Sequence, residues 1–463
     1  MMKNIYKKIQ NLLFRKIEFW IFALMIIFFI ILTFSISVLV RQGTEGRTSL
    51  GNFSIKFLTE PLVSITRIPE KVIFKILKPV ELRIGDFWDP KKSFTEKVGF
   101  TGSSSKNQFL LLSRYSIKNK QSIVELVDLE NFNVIHTWKP EIDKFHEPVK
   151  KIGQFKNLER DRNKKRFRII HPIMTKDGGI IFSNFSQLIK VDHCSNLVWQ
   201  NFEHVFHHSK EKDLNGNYWV PVNIFQSKIK NFESVPEHNA IVKVSPEGKI
   251  LFIKSLYELF IENKMEHYIH GIGLPTNDIF HLNDIEPAMF KSNYWDIGDL
   301  FLSLRNLSMI IQYRPSTNKI INIIHGPFYN QHDVDIINDK EISIFNNNYK
   351  SYSIGNSEIV IYNFKTNNFK KYLDNQIKKN KVRTSFAGLH SILPNGDLFL
   401  ESTTDGRILF FEGNGNLKWH FTNNENEDKV LYAINWSRIL YNTEQLKKIE
   451  KLKNLLIEKK CKN

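Results

Sequence analysis

The chain has 463 residues, with 65 Lys and Arg against 48 Asp and Glu, a formal net charge of +17. Hydrophobic residues make up 42 %, too many for a disordered chain and enough for a large core. The charge is concentrated: residues 1–18 carry a net +4, residues 144–170 a net +7 and residues 441–463 a net +4, so the remainder is close to neutral and no nucleic-acid partner is expected.

Phe19 to Val40 form an uncharged run of 22 residues. A helix of that length crosses a hydrocarbon layer of ~30 Å. The basic residues Lys3, Lys7, Lys8, Arg15 and Lys16 before it outweigh Arg41 and Arg47 after it. That asymmetry predicts a cytoplasmic segment 1–18, an uncleaved inner-membrane anchor 19–40 and an exported, periplasmic remainder. A cleaved signal peptide is the alternative, weakened by the length of the run and the lack of a small-residue cleavage site. Residues 41–106 read as a stalk broken by Pro61, Pro69, Pro79 and Pro90.

From residue 107 to 440 short β-branched and aromatic runs alternate with turn residues. One unit recurs. Its clearest copies are LIKVDHCSNLVW from Leu188, IVKVSPEGKILF from Ile241 and RILFFEGNGNLKW from Arg407, in which Asp192, Ser245 and Glu412 each stand seven residues before Trp199, Phe252 and Trp419. Weaker copies begin at Ser122, Ile310 and Ile359. Six copies of a unit that cannot bury both faces alone predict an all-β, six-bladed β-propeller. Residues 441–463 then predict a basic C-terminal helix whose Leu446, Ile449, Leu452 and Leu455 form one stripe, packed on the body. The +7 segment is expected to be a solvated loop between blades, with attraction to anionic lipid or substrate as the alternative. Cys194 and Cys461 are too far apart in sequence to be expected to pair, and they show no zinc spacing.

The chain has no phosphate-binding loop, dinucleotide fingerprint or serine-nucleophile elbow. Its chemistry-bearing residues are instead His207 and His208 in FHHSKEKD, His281, Asn283 and Asp284 in FHLNDIEP, Arg305 in GDLFLSLRN, Gln331, His332, Asp333 and Asp335 in GPFYNQHDVD, Asn346 to Asn348, and His390 in FAGLHS. Taken singly, each is more often a structural residue that caps a turn or fills a hydrogen bond. Taken jointly, they suit transfer of an anionic group: a neutral imidazole is a nucleophile near pH 7, and a guanidinium with His and Asn donors holds oxygens on which charge develops.

HLNDIEP, GDLFLSLRN, GPFYNQHDVD, SIFNNN and the HHS segment before GNYWVP resemble the arylsulfate sulfotransferases, over about residues 167–440, and their membrane-anchored members in particular. The resemblance implies a periplasmic propeller that moves a sulfuryl group from a phenolic sulfate ester to a phenol, through a sulfated histidine, with no nucleotide-sulfate donor, cofactor or metal. It places the nucleophile on His332, sulfuryl binding on His281, Asn283 and Arg305, and a further active-site histidine on His208 or His207, with Gln331, Asp333 and His390 as further substrate-binding candidates. Two other readings remain at this point: a membrane-anchored scaffold or binding propeller without catalysis, and a metal-dependent hydrolase using His281, His332 and Asp333. Convergence of His281, Arg305 and His332 in one funnel separates the enzyme from the scaffold.

Overall fold

The computed structural model describes residues 18–44, 49–50, 53–54, 59, 61–62, 99–224, 238–271, 278–350, 353–424, 431–458 and 461. The chain divides into two compact units, Met1–Pro79 and Val80–Asn463.

In the first unit Phe19–Thr44 is one helix. Its Phe19–Arg41 stretch has a mean hydropathy of 2.9 and buries none of its surface within the protein. Uncharged side chains on every face of a solvent-exposed helix fit a lipid environment, and the helix is compatible with a membrane anchor or a signal sequence. The basic residues behind the expected orientation lie in 1–17, outside the described residues, as does most of the expected stalk.

The second unit is an all-β, propeller-like arrangement. Each of the six sequence repeats is an antiparallel hairpin, and the reason is local: a turn side chain satisfies the backbone of the turn itself. Asp192 accepts from the N–H groups of Cys194 and Asn196 through one carboxylate oxygen, both at 2.8 Å, closing the hairpin between Ser186–Val191 and Leu197–Phe206. Ser245 holds the N–H groups of Glu247 and Lys249 in the same way, each at 3.3 Å. Gly298 and Gly396, which precede the strands Leu300–Leu304 and Leu398–Ser402, both sit at φ +85°, a conformation that favours glycine over any residue with a Cβ.

The expectation of six separate blades is corrected. Four sheets of four or five strands stand alone, eight further strands form one continuous sheet, and Tyr349–Lys350 pairs with Ser353–Ile354 in a two-stranded sheet. The long strand Leu197–Phe206 is the cause: Phe206, paired with Ser186 on one side, pairs with Val222 of Tyr218–Ile224 on the other, and Val205 pairs with Asn223, joining two meanders. The barrel is closed by chain ends. Arg438–Leu440 pairs with Phe109–Ser116, and Gly99–Gly102, within the expected stalk, adds a fifth strand beside Leu417–Thr422.

The first strands of successive sheets are stitched by side chains. Asn239 accepts from the N–H of Leu282 at 2.8 Å, Ser209 from Ile285 at 3.2 Å, Asp284 from Val334 at 3.0 Å and Asp333 from His390 at 2.9 Å. Glu401 accepts from Trp436 at 2.7 Å and from Ser437 at 2.6 Å. These strands have no further strand beside them on that edge, so their buried N–H groups need partners from elsewhere.

The C-terminal helix Thr443–Glu458 packs its Ile449 and Leu452 into a core with Trp138, Phe167, Phe182 and Ile189. Beyond it the expectation of unpaired cysteines is corrected: Cys194 and Cys461 form a disulfide with Cα atoms 5.3 Å apart. The helix carries the tail back to the Asp192–Asn196 turn, which sequence distance alone cannot show. A cross-link spanning 267 residues of chain removes much unfolded-state entropy, and its loss is expected to cost about 2–5 kcal/mol. Cys461→Ser, or reduction of the parent, therefore lowers the melting temperature by several degrees in a thermal scan; equal melting of oxidised parent and variant contradicts a stabilising cross-link.

Candidate active site

A cavity of about 420 Å³ is lined by Arg162, Arg166, Arg168, Phe185, His208, His281, Arg305, His332, Phe386, Ala387 and Trp436, with Ile170 and Asn184. These residues come from the turns and loops immediately before or after strands of every large sheet. Phe185, His208, His281, Ala387 and Trp436 have φ between +47° and +62°. Non-glycine residues adopt that region at a cost of order 1–3 kcal/mol each, and such outliers gather at functional sites. Here the unusual backbone turns the chain over just before a first strand.

Each histidine ring is fixed by a bond chain whose direction can be read. Asn347 donates its amide hydrogens to the carbonyls of Thr384 at 2.9 Å and Ala387 at 2.7 Å, so its oxygen accepts from His332 Nδ1–H at 2.6 Å. That leaves His332 Nε2 with a lone pair, and it accepts from the N–H of Ala387 at 2.8 Å. The His208 chain starts at a backbone amide. Leu282 N–H donates to Asn239 Oδ1, Asn239 Nδ2 donates to Asn223 Oδ1 at 2.8 Å, and His207 Nε2–H donates to the same oxygen at 3.1 Å. His207 Nδ1 is then the acceptor for His208 Nδ1–H at 2.7 Å, and His208 Nε2 carries a free lone pair. His281 Nδ1 bonds the carboxylate of Asp278, which also accepts from the His281 N–H at 3.0 Å. The ring centroids of His208 and His281 are 5.3 Å apart, and those of His208 and His332 6.4 Å.

Burial, reinforced by the Arg305 charge and by His281, holds His332 well below the ordinary histidine pKa. Burial and the neighbouring His207 and His281 do the same for His208, and His207 falls to about 3. His208 and His332 are therefore neutral at pH 7. Arg305 follows Leu300–Leu304, donates Nη1–H to Asn306 Oδ1 at 2.8 Å and donates its backbone N–H to the carbonyl of His281 at 3.1 Å. Its Nε is buried without a hydrogen-bond partner. An unsatisfied guanidinium N–H beside neutral imidazoles is a donor prepared for an anion.

The structure thus brings together His208, His281, Arg305 and His332, and decides between the adjacent histidines: His208 lines the cavity and His207 stands behind it. Four expected substrate-binding residues do not line this cavity. Asn283 is buried and donates to the carbonyl of Gln331 at 3.0 Å, while Gln331 donates to the carbonyls of Leu304 and Met309. Asp333 receives both the N–H and the ring of His390, whose Nε2 meets Ser343 Oγ at 2.7 Å. Asp333 and His390 line a separate cavity of about 280 Å³ with Glu211, Glu286, Asp335 and Arg438. Burial raises the Asp333 pKa to about 8. The trio His281, His332 and Asp333 is accordingly not a ligand set: among the described residues, apart from the disulfide-bonded cysteines beside His193, only Asp333, Asp335 and His390 bring ligand atoms within 4.8 Å of one another.

Sequence reasoning missed Asp278, Asn223 and the aromatic walls Phe185, Phe386 and Trp436, and it named Asn347 without its place behind the His332 ring. It also missed the role of Arg162, Arg166 and Arg168, which belong to the segment expected to be a solvated loop. For that segment a signal was present, since Phe167 and Ile169 alternate with Arg166 and Arg168 and both are buried.

Fold and cavity define an all-β, propeller-like protein whose main polar cavity gathers histidines and arginines. The arylsulfotransferase (ASST) family model matches residues 171–424, and the chain belongs to that family. No curated protein matches the chain. Among solved structures it is similar to a protein of unknown function from Bacteroides caccae, at 12 % identity over 72 % of this chain and 99 % of that one, with a TM-score of 0.46. It is similar also to a streptogramin B lyase, at 12 % identity over 76 % and 96 % of the two chains with a TM-score of 0.41. A catalytically inactive virginiamycin B lyase from Staphylococcus aureus, solved with quinupristin, is 10 % identical over 74 % and 98 %, with a TM-score of 0.39.

The burial of His208 and His332 has a direct spectroscopic consequence. In histidine-labelled protein their ring proton resonances should not titrate between about pH 7.5 and about pH 5.5, the range in which an exposed imidazole does. A midpoint near 6.5 for either ring contradicts the buried, neutral assignment.

Proposed function

We propose that the chain transfers a sulfuryl group from a phenolic sulfate ester to a phenol through a covalent adduct on His332, without a nucleotide-sulfate donor. The observation that carries this reading is the convergence, in one aromatic-walled cavity, of a neutral His332 with its Nδ1 tied to Asn347, an Arg305 with an unsatisfied N–H, and two further imidazoles. Family membership supports aryl sulfotransfer at its coarse level. A scaffold has no use for such a convergence.

The donor ring lies against Phe185, Phe386 and Trp436, with its sulfuryl group toward Arg305. His332 Nε2 gives up its bond to the Ala387 N–H and attacks sulfur. The N–S bond forms as the S–O bond to the aryl group breaks, and the phenoxide leaves with both electrons. A proton from the Asp278-backed His281 quenches it. Arg305 and the released Ala387 N–H donate to the equatorial oxygens as charge gathers on them. In the second half-reaction the acceptor phenol passes its proton back to the deprotonated His281 while its oxygen attacks sulfur; the N–S bond breaks and its electron pair returns to His332 Nε2. Asp278 orients His281 through its ring Nδ1, as a carboxylate behind an imidazole does.

We further assign the apolar helix as an uncleaved anchor with the body in the periplasm. The disulfide supports an oxidising compartment, because such bonds are rare in the cytosol.

With a chromogenic aryl sulfate and a phenol acceptor, the parent should release phenol and form the sulfated acceptor, including in intact cells given a membrane-impermeant donor. His332→Ala should abolish transfer, and Arg305→Ala should lower kcat by roughly 10²–10³. A folded His332→Ala protein as active as the parent sinks the assignment.

A further inference from the structure

Four guanidinium groups line the cavity, Arg162, Arg166, Arg168 and Arg305, and no Asp or Glu is among its lining residues. One sulfate ester carries a single negative charge, and Arg305 lies with the histidines that handle it. The other three belong to a short segment between Leu158–Asp161 and the strand Ile170–Met174.

That segment is built, not draped. Its turn is closed by Arg166 and Phe167, whose N–H groups both donate to the carbonyl of Asn163 at 2.8 Å. His146 Nε2 donates to the carbonyl of Arg162 at 2.8 Å, and Lys164 N–H donates to Asp143 at 2.7 Å. Phe167 and Ile169 are inserted into the core that also holds Trp138 and Phe182. Anchoring those two alternate residues turns Arg166 and Arg168 toward the cavity.

The three charges are under-compensated. Arg162 makes no ion pair among the described residues. Its Nη1 donates to the carbonyl of Asp161 at 3.1 Å, its Cζ lies 5.4 Å from the Phe185 ring centroid, and its Nε is buried with no hydrogen-bond partner. Asp161 is already committed to Arg160 through two bonds of 2.7 Å, and lies 3.8 Å from Arg166. Arg168 is aimed by a 2.8 Å bond from Nε to Asn435, with the buried Glu401 supplying its nearest opposing charge. Burial lowers the Arg168 pKa only to about 10, so it remains a cation. Asp278, on the far side, is bonded to His281. Gathering like charges in a partly buried cavity is unfavourable unless something anionic enters it.

We infer that Arg162, Arg166 and Arg168 form a second anion subsite, and that the aryl compound this protein handles carries, besides the sulfuryl group, a second acidic substituent such as a carboxylate or phosphate. The inference rests on the sulfuryl-transfer reading, which assigns Arg305 to the first anion. Phe185 and Trp436, on the cavity wall with these arginines, supply the surface for the ring between the two charges.

Unreactive sulfonates test it by calorimetry. Benzenesulfonate presents one anion, whereas 3-sulfobenzoate and 4-sulfobenzoate add a carboxylate at two spacings. At least one sulfobenzoate should bind the parent about tenfold or more tighter than benzenesulfonate, with the ratio falling as salt is raised. In Arg162→Gln and Arg166→Gln the ratio should fall toward one, and Arg166→Lys should retain part of it. Equal binding of all three probes by the parent overturns the subsite, whether or not the variants fold. If the ratio is present but no aryl sulfate is ever turned over, the subsite stands and the sulfuryl-transfer reading fails.

Discussion

The structure depends on how the first strands of neighbouring sheets satisfy one another. Each leaves an edge of backbone N–H groups with no adjoining strand, in a region closed to bulk water. An unpaired buried N–H costs about 1–3 kcal/mol. Side chains from the neighbouring sheet remove that cost: Asn239 for Leu282, Ser209 for Ile285, Asp284 for Val334, Asp333 for His390, and Glu401 for Trp436 and Ser437. The bonds fix the angle and height of one sheet against the next, and so fix the turns that precede each first strand. Those turns carry His208, His281, His332, Ala387 and Trp436. The geometry of the candidate site is thus set by a layer of polar residues beneath it.

This layering explains why the residues that drew attention in the sequence fall into two groups. His281 and Asn283 are two apart, as are His332 and Val334, yet one member of each pair faces the cavity and the other the layer below. Asp333 follows the proposed nucleophile directly and serves His390 instead. Motif membership shows that a segment matters. It does not show which face of a strand each member takes, because the left-handed residue before the strand, His281 at φ +49° or His208 at φ +47°, rotates the chain at that point.

The hairpins, the apolar helix and the C-terminal helix were all legible in the sequence, since each follows from local periodicity and turn chemistry. Sheet count was not, because the merger of eight strands rests on two residues at the end of Leu197–Phe206 that pair with a second meander. Nor was the disulfide, which joins a turn to a tail through the placement of a helix between them. The +7 segment is the most instructive case. Its charge was visible, while its direction depends on Phe167 and Ile169 filling a core built from distant strands and the C-terminal helix, and three of its arginines face the same cavity as Arg305.

The central claim is that His332 Nε2 bonds to sulfur during turnover. The direct measurement is mass spectrometry of the peptide containing His332 after the protein has met an aryl sulfate with no phenol acceptor present. A gain of one sulfuryl group on His332, labile in acid and discharged when phenol is added, is the predicted result. Stoichiometric release of the donor phenol with the sulfuryl group on another residue, or turnover with acceptor and no adduct under any quench, would contradict the account.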